Sequence, residues 1–450
     1  MIVILGGGIS GLSLAYALKK AGKEFLLLEE DKQVGGKIKS IQQDGYSFEL
    51  GPNTVLINNK EIKNLLDDLG LSKDIIQPDE EAVKKRFVLY EGKMEALPSG
   101  PGAIFTSKLL SLRSIFKVIS ELFNNNIVAE EESLAGFIRR RLGNQIYENF
   151  VYPFVTGIYA GNPEKMTMDY TLKILKEAEL KHGGIIKGMV KIMKQKKLDN
   201  ESTNLPKQKI FTFKEGLQTL PISIAEYCGS SILCNAGVSK IEKSESGYSM
   251  TYKSGNQSKN IVASTVVSTL PVPALKKLVW DQQLINTIEG IKYVPAFISH
   301  YAYNSKDINT PQKAFGLLGR EKEDAEFLGI LFNSKLFPHS APKGKELITV
   351  ISGGYKQEHF LKLNQEEIEK RVQNNLERLF QIKRQPELKH FYTWKEGIPQ
   401  YEIGHKNIVA EIERFEKENQ GFYIEGNFKD GISVSDCIAN GINLAIEIVD

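Results

Sequence analysis

The chain opens on an unbroken apolar run, MIVIL (1–5), of the kind that a strand buried on both faces requires. Glycines interrupt it at once, in GGGISG (6–11). GLSLAYALKKAG (11–22) is predicted to be a helix, with Gly22 as its C-cap. A second apolar run, EFLLLEE (24–30), predicts a strand that closes on Glu29 and Glu30. In the middle of the chain, FTFKEGLQTLPISIAEYC (211–228) predicts a short helix. Alternating strands and turns follow it through ILCNAGVSKIEKSESGYSMTYKSG (232–255) and IVASTVVSTLP (261–271). At the far end, GFYIEG (421–426) reads as a strand and Asp430-Gly431 as a turn, with Ser435 or Asp436 as the cap of a last helix. Ile438, Ile442, Ala445 and Ile446 recur at helical spacing in that helix.

Two further stretches are amphipathic. Around IFTSKLLSLRSIFKVISELF, with flanking Ala103, residues Phe105, Leu109, Leu112, Phe116, Ile119 and Phe123 lie three or four apart and predict one helix over 103–123. GGIIKGMVKIMKQKK adds a basic amphipathic stretch ending near Lys197. These read as a helical insertion that packs on itself. The alternative is a patch that rests on a membrane surface or receives a hydrophobic substrate.

Composition narrows the class. At 450 residues the chain is long enough for two or three domains. Lys+Arg 58 against Asp+Glu 55 gives a net charge of +3, which argues against nucleic acid as a partner. The three cysteines, Cys228, Cys234 and Cys437, lack metal-ligand spacing, and their odd number argues against a disulfide framework. No metal is expected, and a reducing, cytoplasmic setting is the simplest fit. The uncharged first 18 residues lack a basic lead-in and carry four glycines, so strand, turn and helix is a better reading than a signal peptide.

The opening unit carries the first chemistry. Gly6, Gly8 and Gly11 form G-x-G-x-x-G between strand and helix. The first permits a tight turn, the second lets backbone approach a pyrophosphate, and the third lets helix pack on strand. Glu29, 18 residues past Gly11, is placed to accept hydrogen bonds from ribose hydroxyls. An ordinary βαβ turn without a ligand is the bland alternative. The pair Gly35-Gly36, six residues after Glu29, resembles the flavoprotein extension E-x5-G-G, or else is a simple loop. Gly51 and Pro52 in FELGPNT make a rigid turn able to pass beside a cofactor, and Val238 sits where a strand could face adenine. The last helix offers free N–H groups to a flavin pyrimidine ring, or is a well-capped surface helix. The fold class expected is therefore α/β, with a Rossmann-like FAD-binding domain. That domain is discontinuous, taking residues 1–58, 208–272 and 420–450. A mixed α+β substrate domain takes 59–98 and 273–419, and a helical insertion takes 99–207.

Taken together, ILGGGISGL, FELGPN, RFVLYEGKMEALPSG, SLAGFIRRRLG, GIYAGNPEKMTM, FKEGLQTLP, GIPQYEIGH and VSDCI resemble, in order and along the whole chain, segments of the protoporphyrinogen and coproporphyrinogen oxidases of the flavin-dependent amine-oxidase superfamily. AGNPEKMTM and IPQYEIGH are the most specific. The resemblance implies non-covalent FAD held by Gly6, Gly7, Gly8, Ile9, Ser10 and Gly11, by Glu29, Glu30 and Lys37, and by Gly51, Pro52, Asn53 and Thr54. It implies the same for Val238, Asn427, Ile432, Ser433 and Val434. For the substrate it implies Arg86 near a propionate and Gly157, Phe315, Leu318 and Leu331 around the cavity. Each of these also has a plain reading, as core residue or as solvated charge. The chain departs from the family where GLLGREKE lacks a proline expected after its FG-L segment, and where Lys37 stands at a position that is variable and often arginine or aromatic.

The resemblance further implies a haem-pathway oxidation. Hydride passes from an activated porphyrinogen carbon to flavin N5, three times, with no acid or base beyond the flavin. With no second G-x-G-x-x-G for a nicotinamide, O2 is the simplest reoxidant, giving H2O2, and a quinone is the alternative. Protoporphyrinogen IX is favoured over coproporphyrinogen III, and hand-over of product to the next haem-pathway enzyme is a further expectation. Peripheral attachment at the inner face of a membrane goes with the amphipathic alternative above. The competing readings are an amine oxidase or carotenoid desaturase and, from another class, a flavin-free escort-type binding protein.

Overall fold

Five parallel strands taken from both ends and the middle of the chain form the first sheet. In the computed structural model their order is Ile232–Leu233, Phe25–Leu28, Ile2–Leu5, Thr265–Ser268 and Phe422–Ile424. The structure describes residues 1–98, 100–104, 106–202, 209–255, 257–323 and 325–449, with side chains at 101, 104 and 196–202 outside that description. Strand alternation serves two cores. Ile4 and Leu27 pack with helix Ile9–Lys20 and the terminal helix Val434–Val449, whereas Val3 and Leu5 pack with the antiparallel ribbon 238–263. The two helices lie side by side. A Cβ at Gly441 would stand 2.5 Å from the Ser10 carbonyl, so only glycine lets them approach this closely.

The second sheet has seven strands, in the order Leu388–Pro399, Tyr293–Asn304, Lys345–Gly353, Gly329–Leu331, Gly316–Leu318, Arg86–Tyr90 and Lys93–Ala96. Helix Gln365–Phe380 covers one face through Ile368, Val372, Leu376 and Phe380, all buried. The chain thus has an α/β fold with a Rossmann-like unit and a second, mixed seven-stranded sheet.

Helices fill residues 134–202. Their centre is ionic. The fully buried Arg141 pairs with the fully buried Glu121, whose carboxylate also accepts from the Ile185 and Ile186 N–H groups at 2.7 and 3.1 Å. Glu179, equally buried, takes Arg140 at 2.8 Å.

The single helix expected over 103–123 is not formed. A short turn Pro101–Ile104 and the helix Leu112–Ser120 replace it, and Leu109 and Leu110 are buried between them. Ser111 starts the second helix by accepting from the Ser114 N–H, while Asn149 donates to the Leu109 carbonyl at 2.6 Å and holds the link away from helical geometry. Phe105 and the side chain of Lys197, two of the amphipathic positions, lie outside the described residues. The terminal helix also starts earlier than expected. Its cap is Ser433, whose Oγ accepts from the Asp436 N–H at 3.1 Å, while Ser435 turns its hydroxyl to the Leu56 carbonyl. Of the four apolar residues at helical spacing, Ile438 and Ala445 are buried and Ile446 is exposed.

Candidate functional site

The G-x-G-x-x-G turn is locked from two sides. Gly6 adopts φ +101°, a conformation that favours glycine, and a Cβ on Gly11 would sit 2.1 Å from the Gly6 carbonyl. Thr269 closes the other side, its hydroxyl donating to the Leu5 carbonyl at 2.9 Å. The sequence reading marked the strand before Thr269 but missed the threonine, whose only signal was the STLP that ends that strand. The turn leads into a helix that begins after Gly8 without a side-chain cap, and nothing stands within 4 Å of where a Gly8 Cβ would point. Ile9 and Ser10 form its first turn. A helix N-terminus of this kind presents its N–H groups and partial positive charge to an anion.

Glu29 stands just past the second strand. Its carboxylate accepts from the Gly7 N–H at 2.5 Å and the Asp31 N–H at 2.8 Å. Burial lifts its pKa above the ordinary carboxylate value, against the pull of those two donors. Beyond it opens a cavity of about 230 Å³ lined by Leu5, Leu28, Glu30, Val238 and Leu270. Glu30 and Val238 are thus brought together with apolar residues of three strands and the loops that follow them.

The Gly35-Gly36 loop packs against this turn, its Gly35 N–H donating to the Gly7 carbonyl at 2.8 Å. A Cβ at Gly51 would lie 2.0 Å from the Lys37 carbonyl, which ties the turn Gly51, Pro52, Asn53 and Thr54 to the same loop. Asn53 donates to the Gly51 carbonyl at 3.2 Å, and its buried Oδ1 has no partner. An unpartnered buried oxygen is costly unless a ligand completes it. Asn427, Ile432 and Ser433 lead into the terminal helix, which begins at Val434; Asn427 is held by Tyr401, Ile432 packs with the helical region, and Val434 joins the core of the first helix. An open glycine face, an uncapped helix start, an acid at the ribose distance, a cavity lined by both apolar and polar side chains and an orphaned amide oxygen fit a dinucleotide.

The residues expected to meet substrate lie elsewhere, on the seven-stranded sheet. Arg86 is paired with Gly316, Gly316 with Leu331, and Leu318 with Gly329. Alternation puts Arg86, Leu318 and Leu331 on the face opposite the Gln365–Phe380 helix. Helix Tyr152–Tyr159 lies over that face, and a Cβ at Gly157 would stand 2.7 Å from Leu318. Phe315 carries the Arg86 guanidinium 4.8 Å from its ring centre. Its ring packs with Ala82, Leu336 and Phe337 at the sheet end, where the Phe332 N–H donates to the Phe315 carbonyl at 3.1 Å.

Sequence reading also missed the junction of the parts. The Gln400 amide donates to the Tyr159 carbonyl at 2.9 Å, and the Tyr401 hydroxyl donates to the Asn427 carbonyl at 2.5 Å. IPQY was noted for its specificity, which was the signal available.

A nucleotide cradle on a parallel α/β sheet, joined to a second, mixed sheet, is the arrangement of a dinucleotide-dependent oxidoreductase. The profile of the flavin containing amine oxidoreductases matches residues 9–447, and the chain belongs to that family. It is an oxidoreductase with FAD as its cofactor. Among its relatives, protoporphyrinogen oxidase 1 of Spinacia oleracea is 30% identical over 100% of this chain and 84% of its own. Protoporphyrinogen oxidase 2 of Arabidopsis thaliana is 28% identical over 99% and 92%. Coproporphyrinogen III oxidase of Bacillus subtilis is 27% identical over 98% and 96%. In fold, a crystal structure from Exiguobacterium sp. 255-15 superposes with a TM-score of 0.84 at 22% identity, covering 99% of this chain and 98% of that one.

Proposed function

We propose that the protein oxidises a porphyrinogen to a porphyrin, with protoporphyrinogen IX as the preferred substrate. The relatives that align over nearly the whole chain bear the names of protoporphyrinogen and coproporphyrinogen III oxidases. The observation that carries the choice is Arg86, a cation that pairs with no carboxylate among the described residues and stands on the same sheet face as Leu318 and Leu331. Protoporphyrinogen carries its two propionates at one edge and vinyls at the other, which suits a single cation with the apolar contact of Leu318 on Gly157 beyond it. Coproporphyrinogen would bring two more carboxylates to the apolar end, at a desolvation cost.

The turns Gly6 to Gly11 and Gly51 to Thr54, Glu29 and Glu30, Val238, and the residues from Asn427 to Val434 hold FAD in this proposal. When bound, FAD supplies a hydride acceptor that O2 restores, so the macrocycle gives up six electrons in three rounds and three H2O2 form. Arg86, Gly157, Leu318 and Leu331 orient the macrocycle and exclude water. None of them titrates near neutral pH, so the protein's part is positioning rather than proton transfer. Side-by-side turnover, read by porphyrin fluorescence, tests the choice. Protoporphyrinogen should react with the higher kcat/KM, and Arg86→Ala should raise its KM roughly tenfold with flavin retained. A higher kcat/KM for coproporphyrinogen reverses the assignment, and flavin loss in the variant removes Arg86 from the substrate site.

Peripheral membrane contact belongs to the same proposal. Among the described residues no helix is long and apolar enough to cross a membrane. Leu112, Phe116 and Phe123 are nevertheless 83%, 73% and 79% exposed, on a helical stretch whose charges on the surface are Arg113 and Lys117. Glu121, the acid in that stretch, is buried against Arg141. An apolar ridge flanked by cations suits an anionic lipid surface. Co-flotation with phosphatidylglycerol vesicles, absent with neutral vesicles, is the expected result.

A further inference from the structure

The end of strand Leu388–Pro399 is a crossroads. The Trp394 indole N–H donates to the Leu50 carbonyl at 2.6 Å, on the approach to the Gly51 turn. A few residues on, Gln400 and Tyr401 bind the carbonyls of Tyr159 and Asn427. Into the same place the Lys37 ammonium reaches from the Gly35-Gly36 loop. It donates to the Glu396 carbonyl at 2.8 Å and to the Gly397 carbonyl, and lies 5.4 Å from the centre of the Tyr293 ring.

Both anchorages are rigid. A Cβ at Gly397 would stand 2.9 Å from the Val294 carbonyl, so the strand end is pressed against its neighbour. At the other end the Lys37 backbone abuts Gly51, and the loop is hydrogen-bonded to Gly7. The ammonium therefore spans two fixed backbones whose residues are 359 and 360 positions apart in sequence. Among the described residues its partners are backbone carbonyls and a ring face rather than a carboxylate, so its contacts are directional and fix position. Burial pushes its pKa down to about 8, the expected cost of placing a lysine there.

We propose that Lys37 is a positioning residue, whose ammonium ties the cofactor loop to the end of the substrate-side sheet and thereby sets the reach from the flavin site to the substrate face. It acts through residues 396–401, which carry the contacts to Tyr159 and Asn427. The proposal rests on the flavin assignment, is independent of which substrate is oxidised, and gives Lys37, whose ammonium is taken up by the Glu396 and Gly397 carbonyls, a bridging role in place of the flavin contact that the resemblance implies. A misplacement of about an ångström between reacting groups is enough to cost up to about a hundredfold in rate.

The test compares Lys37→Met, which keeps length without donors, and Lys37→Arg with wild type as purified holoenzymes. Measured are FAD per chain, the visible circular dichroism of the bound flavin, Tm, and the kcat and KM for protoporphyrinogen. Lys37→Met should keep its FAD and its Tm, alter the flavin dichroism, and lose roughly tenfold or more in kcat with KM changed less than about threefold; Lys37→Arg should recover most of the loss. Unchanged dichroism and kcat in Lys37→Met would overturn the proposal, as would a fall in kcat that only tracks lost flavin or lost Tm. If wild type itself leaves protoporphyrinogen untouched, the substrate reading fails, and the dichroism comparison alone decides the role of Lys37.

Discussion

The cofactor unit and the helical region solve the problem of buried polarity in opposite ways. Around the first glycine turn, polar groups are left open. The helix start is uncapped, the Gly8 face is empty within 4 Å, and Asn53 Oδ1 is buried without a partner. In the helical region the wholly buried Arg141 is closed on the wholly buried Glu121 and Glu179, and Glu179 also takes the partly exposed Arg140, with only Arg141 Nε of that group unpartnered among the described residues. A unit shaped around a ligand leaves hydrogen-bonding capacity for it, whereas a unit that must hold itself together consumes its own.

The largest effect should come from breaking the open unit. Gly11→Ala places a methyl 2.1 Å from the Gly6 carbonyl, a backbone atom that cannot swing aside. The variant should purify without FAD, by absorbance of the denatured supernatant. Full flavin content would show that the turn is not the cofactor seat. Breaking the closed unit should cost stability instead. Arg141→Met strips the buried Glu121 of its cation and should lower unfolding stability by about 3–5 kcal/mol in urea titrations, with any FAD in the folded fraction undisturbed. A loss below about 1 kcal/mol would mean that the pair contributes little.

A third change sharpens the comparison, because Glu49 lies in the cofactor unit yet carries a buried carboxylate. Burial raises its pKa from 4.5 to about 7, against the hydrogen bonds from Ser40 and the Leu217 N–H. The folded state thus favours the protonated acid. Its contribution to stability is complete below about pH 4.5 and is lost as pH rises to about 7. Glu49→Gln should flatten that slope and leave the protein more stable at pH 8 by about 1–3 kcal/mol, checked by Tm at pH 5 and pH 8. Equal slopes in variant and wild type would refute it. The smallest effect is expected at Phe116→Ser, which should leave Tm within about 2 °C, since the side chain is 73% exposed, and weaken flotation with anionic vesicles.

What could be read from the sequence follows the same division. The strand, glycine turn, helix and acid of residues 2–29 were legible because each signal is local, within a few residues of the feature it specifies. Periodicity failed over 103–123, where Leu109 and Leu110 keep helical spacing but are buried in a link that Ser111 and Asn149 hold open. Hydrophobic spacing reports which residues go inside and does not report where a helix is interrupted. Capping was misread by two residues because Ser433, Ser435 and Asp436 are all competent, and the choice depends on the Leu56 carbonyl, 379 residues from Ser435. The Arg141–Glu121 pair and the Lys37 contacts were not legible for the same reason: their partners are brought together only by the finished fold.

The most direct test mixes the purified yellow holoenzyme with protoporphyrinogen IX under air and follows porphyrin fluorescence together with H2O2. The account predicts enzyme-dependent protoporphyrin formation, well above spontaneous oxidation, with about three H2O2 per porphyrin released. A flavin-loaded protein that leaves the porphyrinogen at its spontaneous rate while oxidising an amine would contradict it.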